Sequence, residues 1–271
     1  MKKFFLTALL AVSFLALSGL GAQSLKGMSF NGATGLYSIP TGRIAWERSS
    51  DLGLDFGYHT IISDGRAANI PAFAISLFKW VELSAAFDIQ PNNRGHGKDN
   101  NDFMTGAKIQ FPFTNTAIAL GGNFQAINLS NENFSYNAGQ VYVAFTYAGQ
   151  FFTMPAETTV VVGKTFRERN SWRGKTDSDI DFGMGFDMIL LPNVFQNWIH
   201  WITDFANFSY SDDAFGASAI SRGVLNTGLR IDLAQIPALS KFKFAIDIVA
   251  ADAFDENRSF VIGVVFGIPI L

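Results

Sequence analysis

The stretch 179–188 constrains the fold most. Ile180, Phe182, Met184, Phe186 and Met188 are large and apolar, and they alternate with Asp179, Asp181, Gly183, Gly185 and Asp187. A period of two places the first set on one face of a β-strand and the second on the other. The same alternation recurs from residue 51 to the chain end. Leu52, Leu54, Phe56 and Tyr58 alternate with Asp51, Gly53, Asp55 and His59. Val81, Leu83, Ala85, Phe87 and Ile89 alternate with Glu82, Ser84, Asp88 and Gln90. In the final strand Phe260, Ile262, Val264, Phe266 and Ile268 alternate with Val261, Gly263, Val265 and Gly267.

A soluble sheet with one apolar face needs a charged exterior on the other. This chain has 28 Phe and only 16% charged residues, where a soluble domain is usually about a quarter charged. The missing charge corresponds to a large surface facing lipid. Helical spans would appear as unbroken apolar runs, but beyond the N-terminus the pattern alternates. The remaining way to satisfy backbone groups in lipid is a closed barrel. The reading is an all-β, transmembrane, antiparallel up-and-down β-barrel of about twelve strands, or about fourteen with 35–44 in the wall.

Connection lengths support this reading, since long and short links alternate. The long ones include SDGRAANIP (63–71), PNNRGHGKDNND (91–102) and RERNSWRGKTDS (167–178). The short ones include PFTN, TMPAE and IPALSK. Bacterial barrels have short periplasmic turns and longer outer loops, which puts both chain ends in the periplasm.

The first 22 residues carry Lys2 and Lys3, an apolar run from Phe4 to Leu17, and then small residues ending at Ala22. This is the form of a cleaved secretory signal peptide. Residues 23–50 are Gly-rich and Pro-interrupted, and they form a periplasmic or lumen-entering segment. Residues 51–271 are the barrel. The chain has no cysteine, so neither disulfides nor a lipid anchor are expected.

Two resemblances bear on location. Gly263, Phe266 and Ile268 have the spacing of the C-terminal targeting strand of bacterial outer-membrane barrels, although Pro269, Ile270 and Leu271 follow where such strands end on an aromatic. This porin-like resemblance implies the outer membrane and, as a partner, the barrel insertion machinery. Gly35, Leu36, Pro40, Thr41 and Arg43 resemble the opening of YjbH-like outer-membrane proteins. That resemblance implies the same location and carries no activity.

The inward face sets function. Asp51, Asp55, Glu82, Asp88, Asp179, Asp181, Asp187, Asp204, Asp232 and Asp247 are expected to face the lumen, joined by Lys108, Lys164, Arg230, Lys241 and Lys243. One reading is an acidic, water-filled lumen that passes cations or small polar solutes, with Asp55, Asp88, Asp181, Asp187, Arg230 and Asp232 tuning selectivity. The bland reading is that these charges pair across the interior and plug it.

Two further readings are a surface protein whose outer loops bind ligands and a hydrophobic-solute channel kinked at Gly121-Gly122. Catalysis is not expected. His200 and Asp204 share a face but lie roughly 13 Å apart along the strand, and no nucleophile motif is present. No metal or other cofactor is expected, since the three histidines lack ligand spacing; the Asp/Asn-rich loop 92–102 lacks a calcium-site pattern. Without a basic stripe, nucleic acid is not a partner. The membrane lipid is. Trp80, Trp172, Trp198, Trp201, Tyr58, Tyr147 and Tyr210 are expected mostly as interfacial girdles.

Overall fold

The computed structural model describes residues 27–47, 49–63, 66–90, 100–127, 136–167, 180–208, 210, 223–254 and 258–270. The expectation for 1–22 lies outside these residues, as do those for Asp179, Trp172 and most of the loop 92–102.

Twelve antiparallel strands close into one barrel, each bonded to its sequence neighbours, with β1 completing the ring against β12. They are β1 (Leu52–Ser63), β2 (Arg66–Leu77), β3 (Val81–Gln90), β4 (Asn100–Pro112), β5 (Thr116–Ile127) and β6 (Tyr136–Phe151), followed by β7 (Met154–Arg167), β8 (Asp181–Ile189), β9 (Ile199–Ala206), β10 (Val224–Asp232), β11 (Lys243–Ala251) and β12 (Ser259–Pro269). A one-turn helix α1 (Pro192–Phe195) links β8 to β9, and two 3-10 turns follow β10. Among the described residues no helix is long and apolar enough to cross a membrane. The strands do the crossing.

Alternation along β12 translates directly into position. Val261, Val265, Gly263 and Gly267 are buried inside, while Phe260, Ile262, Val264 and Phe266 are exposed on the outer surface. Exposed Phe87, Phe111, Leu120, Phe145 and Val162 continue this apolar belt around the wall. In water such a surface would be untenable, and in a bilayer it is the expected lipid-facing band.

The structure corrects several details. Residues 66–71 of the expected loop 63–71 belong to β2, since Ser63 pairs directly with Arg66 and Tyr58 with Pro71. Lys164 lies on the outer face, because it pairs with outward Val141; its Nζ sits 5.9 Å from the centroid of the Phe166 ring. Asp51 precedes β1, is exposed, and pairs with Lys79 at 3.3 Å. Lys241 is exposed in the link before β11. These three are not lumen residues. Gly121, offered as a kink, gives room to a neighbour: a Cβ there would lie 2.4 Å from the Tyr142 ring.

Candidate functional site

The interior of the barrel is occupied by its own N-terminal segment. Every residue of 27–47 except Thr41 is buried. The segment folds on itself through bridges joining Met28 to Thr34 and Gly35 to Pro40. It is not part of the wall, so the fourteen-strand alternative does not hold.

Glycine allows this plug to approach the wall. Gly32 has φ +85°, and a Cβ on it would lie 2.6 Å from the Ala85 carbonyl oxygen of β3. A Cβ on Gly42 would lie 2.4 Å from the Ala117 carbonyl oxygen of β5. Only glycine suits a left-handed backbone pressed against another strand. The wall reciprocates at the seam between β1 and β12, where inward glycines hold plug side chains. A Cβ on Gly53 would meet the Trp46 indole at 2.2 Å, and one on Gly57 would meet the Met28 sulfur at 2.5 Å.

Polar contacts fix the plug around the whole circumference. Asp204 of β9 accepts the amides of Tyr37 and Ser38 at 2.6 and 2.8 Å. Glu82 of β3 accepts the Thr34 amide at 2.7 Å and its hydroxyl at 2.5 Å. Thr146 of β6 accepts the Gly42 amide at 2.8 Å, and Gln110 of β4 the Ile44 amide at 2.6 Å. Arg43 pairs with Glu47 at 2.9 Å and with Glu157 of β7 at 3.0 Å. The Trp46 indole donates to Asp55 at 3.2 Å, and Asn226 donates to Ser38. Between these bonds, Phe30, Leu36 and Ile39 join Ala74, Ala144, Val161 and Val265 in the hydrophobic core. Burial holds the Tyr37 phenol well above its ordinary pKa, with Asp247 adding to the shift, Arg230 opposing it and Asp204 adding again. It is neutral.

The six expected lumen residues are all buried inside, but they form separate groups. Asp187 and Arg230 come together: Arg230 donates to Asp187 at 3.1 Å and to both oxygens of Asp247 at 2.6 and 2.9 Å, and His200 meets Asp187 at 2.6 Å. Asp55 pairs with Lys243 at 3.2 Å. Asp181 accepts from Gln140 and Thr165 at 2.9 and 2.5 Å. Asp88 accepts from Gln90 at 2.7 Å. Asp232 caps the 3-10 turn after β10, accepting from Ala234 and Gln235. Of the targeting-strand residues, Gly263 faces inward, and Phe266 and Ile268 lie on the outer side.

At the barrel end opposite the start of β1, residues that follow β9 turn inward. Tyr210, expected in a girdle, is buried: its hydroxyl lies 3.1 Å from Gln140 Oε1 and accepts from Asn123 at 3.1 Å, while Gln125 donates to its carbonyl. Phe208 stands edge-on to it at 5.5 Å. The sequence reading missed this role and that of Glu157, which was placed in a turn although β7 already begins at Met154. Among the described residues, no three His, Asp or Glu side chains converge as metal ligands would.

A closed antiparallel barrel with an apolar outer belt and a polar interior is a transmembrane barrel of the bacterial outer membrane. Solved structures of the KdgM porin share the fold. The KdgM porin matches at a TM-score of 0.50 and 8% identity, covering 78% of this chain and 98% of that one. A second structure, of the KdgM porin in complex with disordered oligogalacturonate, gives the same values. The outer membrane protein Omp33 of Acinetobacter baumannii matches at a TM-score of 0.42 and 11% identity, over 82% of this chain and all of that one. No protein-family model and no curated protein matches the sequence.

Proposed function

We propose that this protein is an outer-membrane channel held shut by its own N-terminal segment, passing small polar solutes or cations when that segment leaves its seat. The supporting observation is that the plug itself partners several wall carboxylates. Asp204 and Glu82 hold plug amides, and Asp55 holds the Trp46 indole. A barrel that is only ever filled gains little from buried charge, since well-packed apolar residues serve as well or better. Carboxylates become useful if the wall is at times wet. With the plug withdrawn, Asp55, Glu82, Asp88, Asp181 and Asp204 would line a conduit whose buried wall cations are Lys108, Arg230 and Lys243. An acidic lumen concentrates cations.

The test is planar-bilayer conductance of the full chain under a salt gradient, with Ser38→Cys and Asn226→Cys introduced together. Reduced protein gives cation-biased current steps, and oxidation removes them by tethering the plug to β10. Equal current in both states overturns the plug as gate. Silence from folded protein at all voltages overturns the channel and turns attention to the outer loops as binding surfaces.

A further inference from the structure

His59 sits on the inner face of β1, completely buried. Phe30 and Tyr37 of the plug stand edge-on to its ring at 5.5 and 6.3 Å. Gly263 of β12 lies against it, so close that a Cβ there would be 2.6 Å from Nδ1. Its β2 neighbour in the register is buried Ile70. Neither ring nitrogen has a hydrogen-bond partner among the described residues.

The titratable and charged groups around it are the Tyr37 phenol from the plug, Asp247 from β11 and Arg230 from β10. In the register β12 sets Gly263 and β2 sets Ile70 beside it, neither of them titratable. Asp247 is the acceptor an imidazolium would need, but Arg230 already holds both of its oxygens. His200 differs, since Asp187 stands 2.6 Å from its Nδ1. A charge on His200 has a partner, whereas a charge on His59 would be buried between aromatic edges with no acceptor.

We infer that His59 is an acid-sensitive release for the plug: its protonation drives residues 27–47 from their seat. The inference rests on the gated-channel reading only for the step from release to current. In the seated state the imidazole stays neutral. In the released state it meets water and titrates in the ordinary range near about 6.5. The released state therefore binds one more proton. Seating is strongest above that range, and the released fraction rises about tenfold per pH unit below it.

The experiment is hydrogen exchange of the full chain refolded in lipid, at pH 7 and pH 5, corrected for the intrinsic pH dependence of amide exchange. Residues 140–148 of β6 are the internal reference. Exchange across 27–47 should rise roughly tenfold or more while the reference stays level, and His59→Phe should abolish the rise. His59→Leu serves as a second variant, with folding of each checked by heat-dependent gel mobility. An unchanged plug at pH 5, or an equal rise in both variants, overturns the inference. Conductance at the same two pH values separates it from the channel reading. Plug release without current overturns the channel alone, and voltage-evoked steps with a pH-indifferent plug overturn the release alone.

Discussion

Glu82 and Lys108 face each other directly across β3 and β4, 3.2 Å apart, and both also bond to the same plug residue. Glu82 accepts the Thr34 amide and hydroxyl, and Lys108 Nζ donates to the Thr34 carbonyl at 2.8 Å. Thr34 is thus clamped by an ion pair whose two members need it in place.

Glu82→Ala leaves Lys108 buried without its carboxylate, and removing one partner of a buried pair costs about 3–5 kcal/mol. The expected outcome is a marked drop in thermal stability of the folded barrel in detergent. Thr34→Val removes only the hydroxyl bond and should cost about 1–3 kcal/mol, seen as faster exchange across 27–47 with little change in β6.

Asp204→Asn exchanges a charged acceptor of two amides for a neutral one. Hydrogen bonds to charged groups are worth about 1.5–3 kcal/mol each. Exchange at Tyr37 and Ser38 should rise at least about tenfold, and bilayer recordings should show more frequent openings. Unchanged exchange would mean that Asp204 does not anchor the plug.

Gly53→Leu fills the slot that receives Trp46 on the seam between β1 and β12. The expected result is a barrel that still folds but whose plug is loosened near the end of the barrel where β1 begins. Trypsin cleavage at Arg43, a residue only 2% exposed in the native fold, reports it: Gly53→Leu is cut rapidly and the native chain slowly.

The turn between β2 and β3 holds Phe78 and Lys79 at φ 54° and 63°, and the turn between β6 and β7 holds Phe152 and Thr153 at φ 48° and 72°. Left-handed backbone costs non-glycine residues roughly 1–2 kcal/mol each. Replacing Phe78 with Asn and Lys79 with Gly should raise the detergent melting temperature. Phe78 is also 72% exposed at the membrane end of the wall, so the same change should weaken retention in lipid vesicles.

Much of the wall was legible because a two-residue period is local: β8 and β12 announce their faces in ten or so residues. Where the period lapses, the reading failed. The run Val160, Val161, Val162 carries no phase, and only the pairing of Val141 with Lys164 reveals that Lys164 points outward. Residues 66–71 looked like a loop because Arg66 and Asn69 interrupt the apolar residues and the stretch ends on Pro71. In the fold, Asn69 is satisfied on the outer face by Tyr58 at 2.9 Å and Thr60 at 3.2 Å.

Asp55, Glu82, Asp88, Asp181, Asp187, Asp204, Asp232 and Asp247 do face inward as expected, but Asp51 does not, Glu157 was missed, and the partners of the inward carboxylates were not found. Thr34 meets a residue 48 positions away, and Ser38 one 188 positions away. A segment with no period of its own gives no local sign of such bonds. The one sequence trace of the plug was the cluster Gly35, Leu36, Pro40, Thr41 and Arg43, whose members now make its turn, its core contact and its ion pairs.

The plug precedes β1 on the same chain, with Glu47 and Leu52 only five positions apart. Leaving and returning are therefore events within one molecule, and their balance does not change when the protein is diluted. Two parts of one chain so near in sequence meet at an effective concentration on the order of millimolar. A free peptide copying residues 27–47 would have to reach that level to compete for the seat, and until it did, each barrel would be resealed by its own stopper.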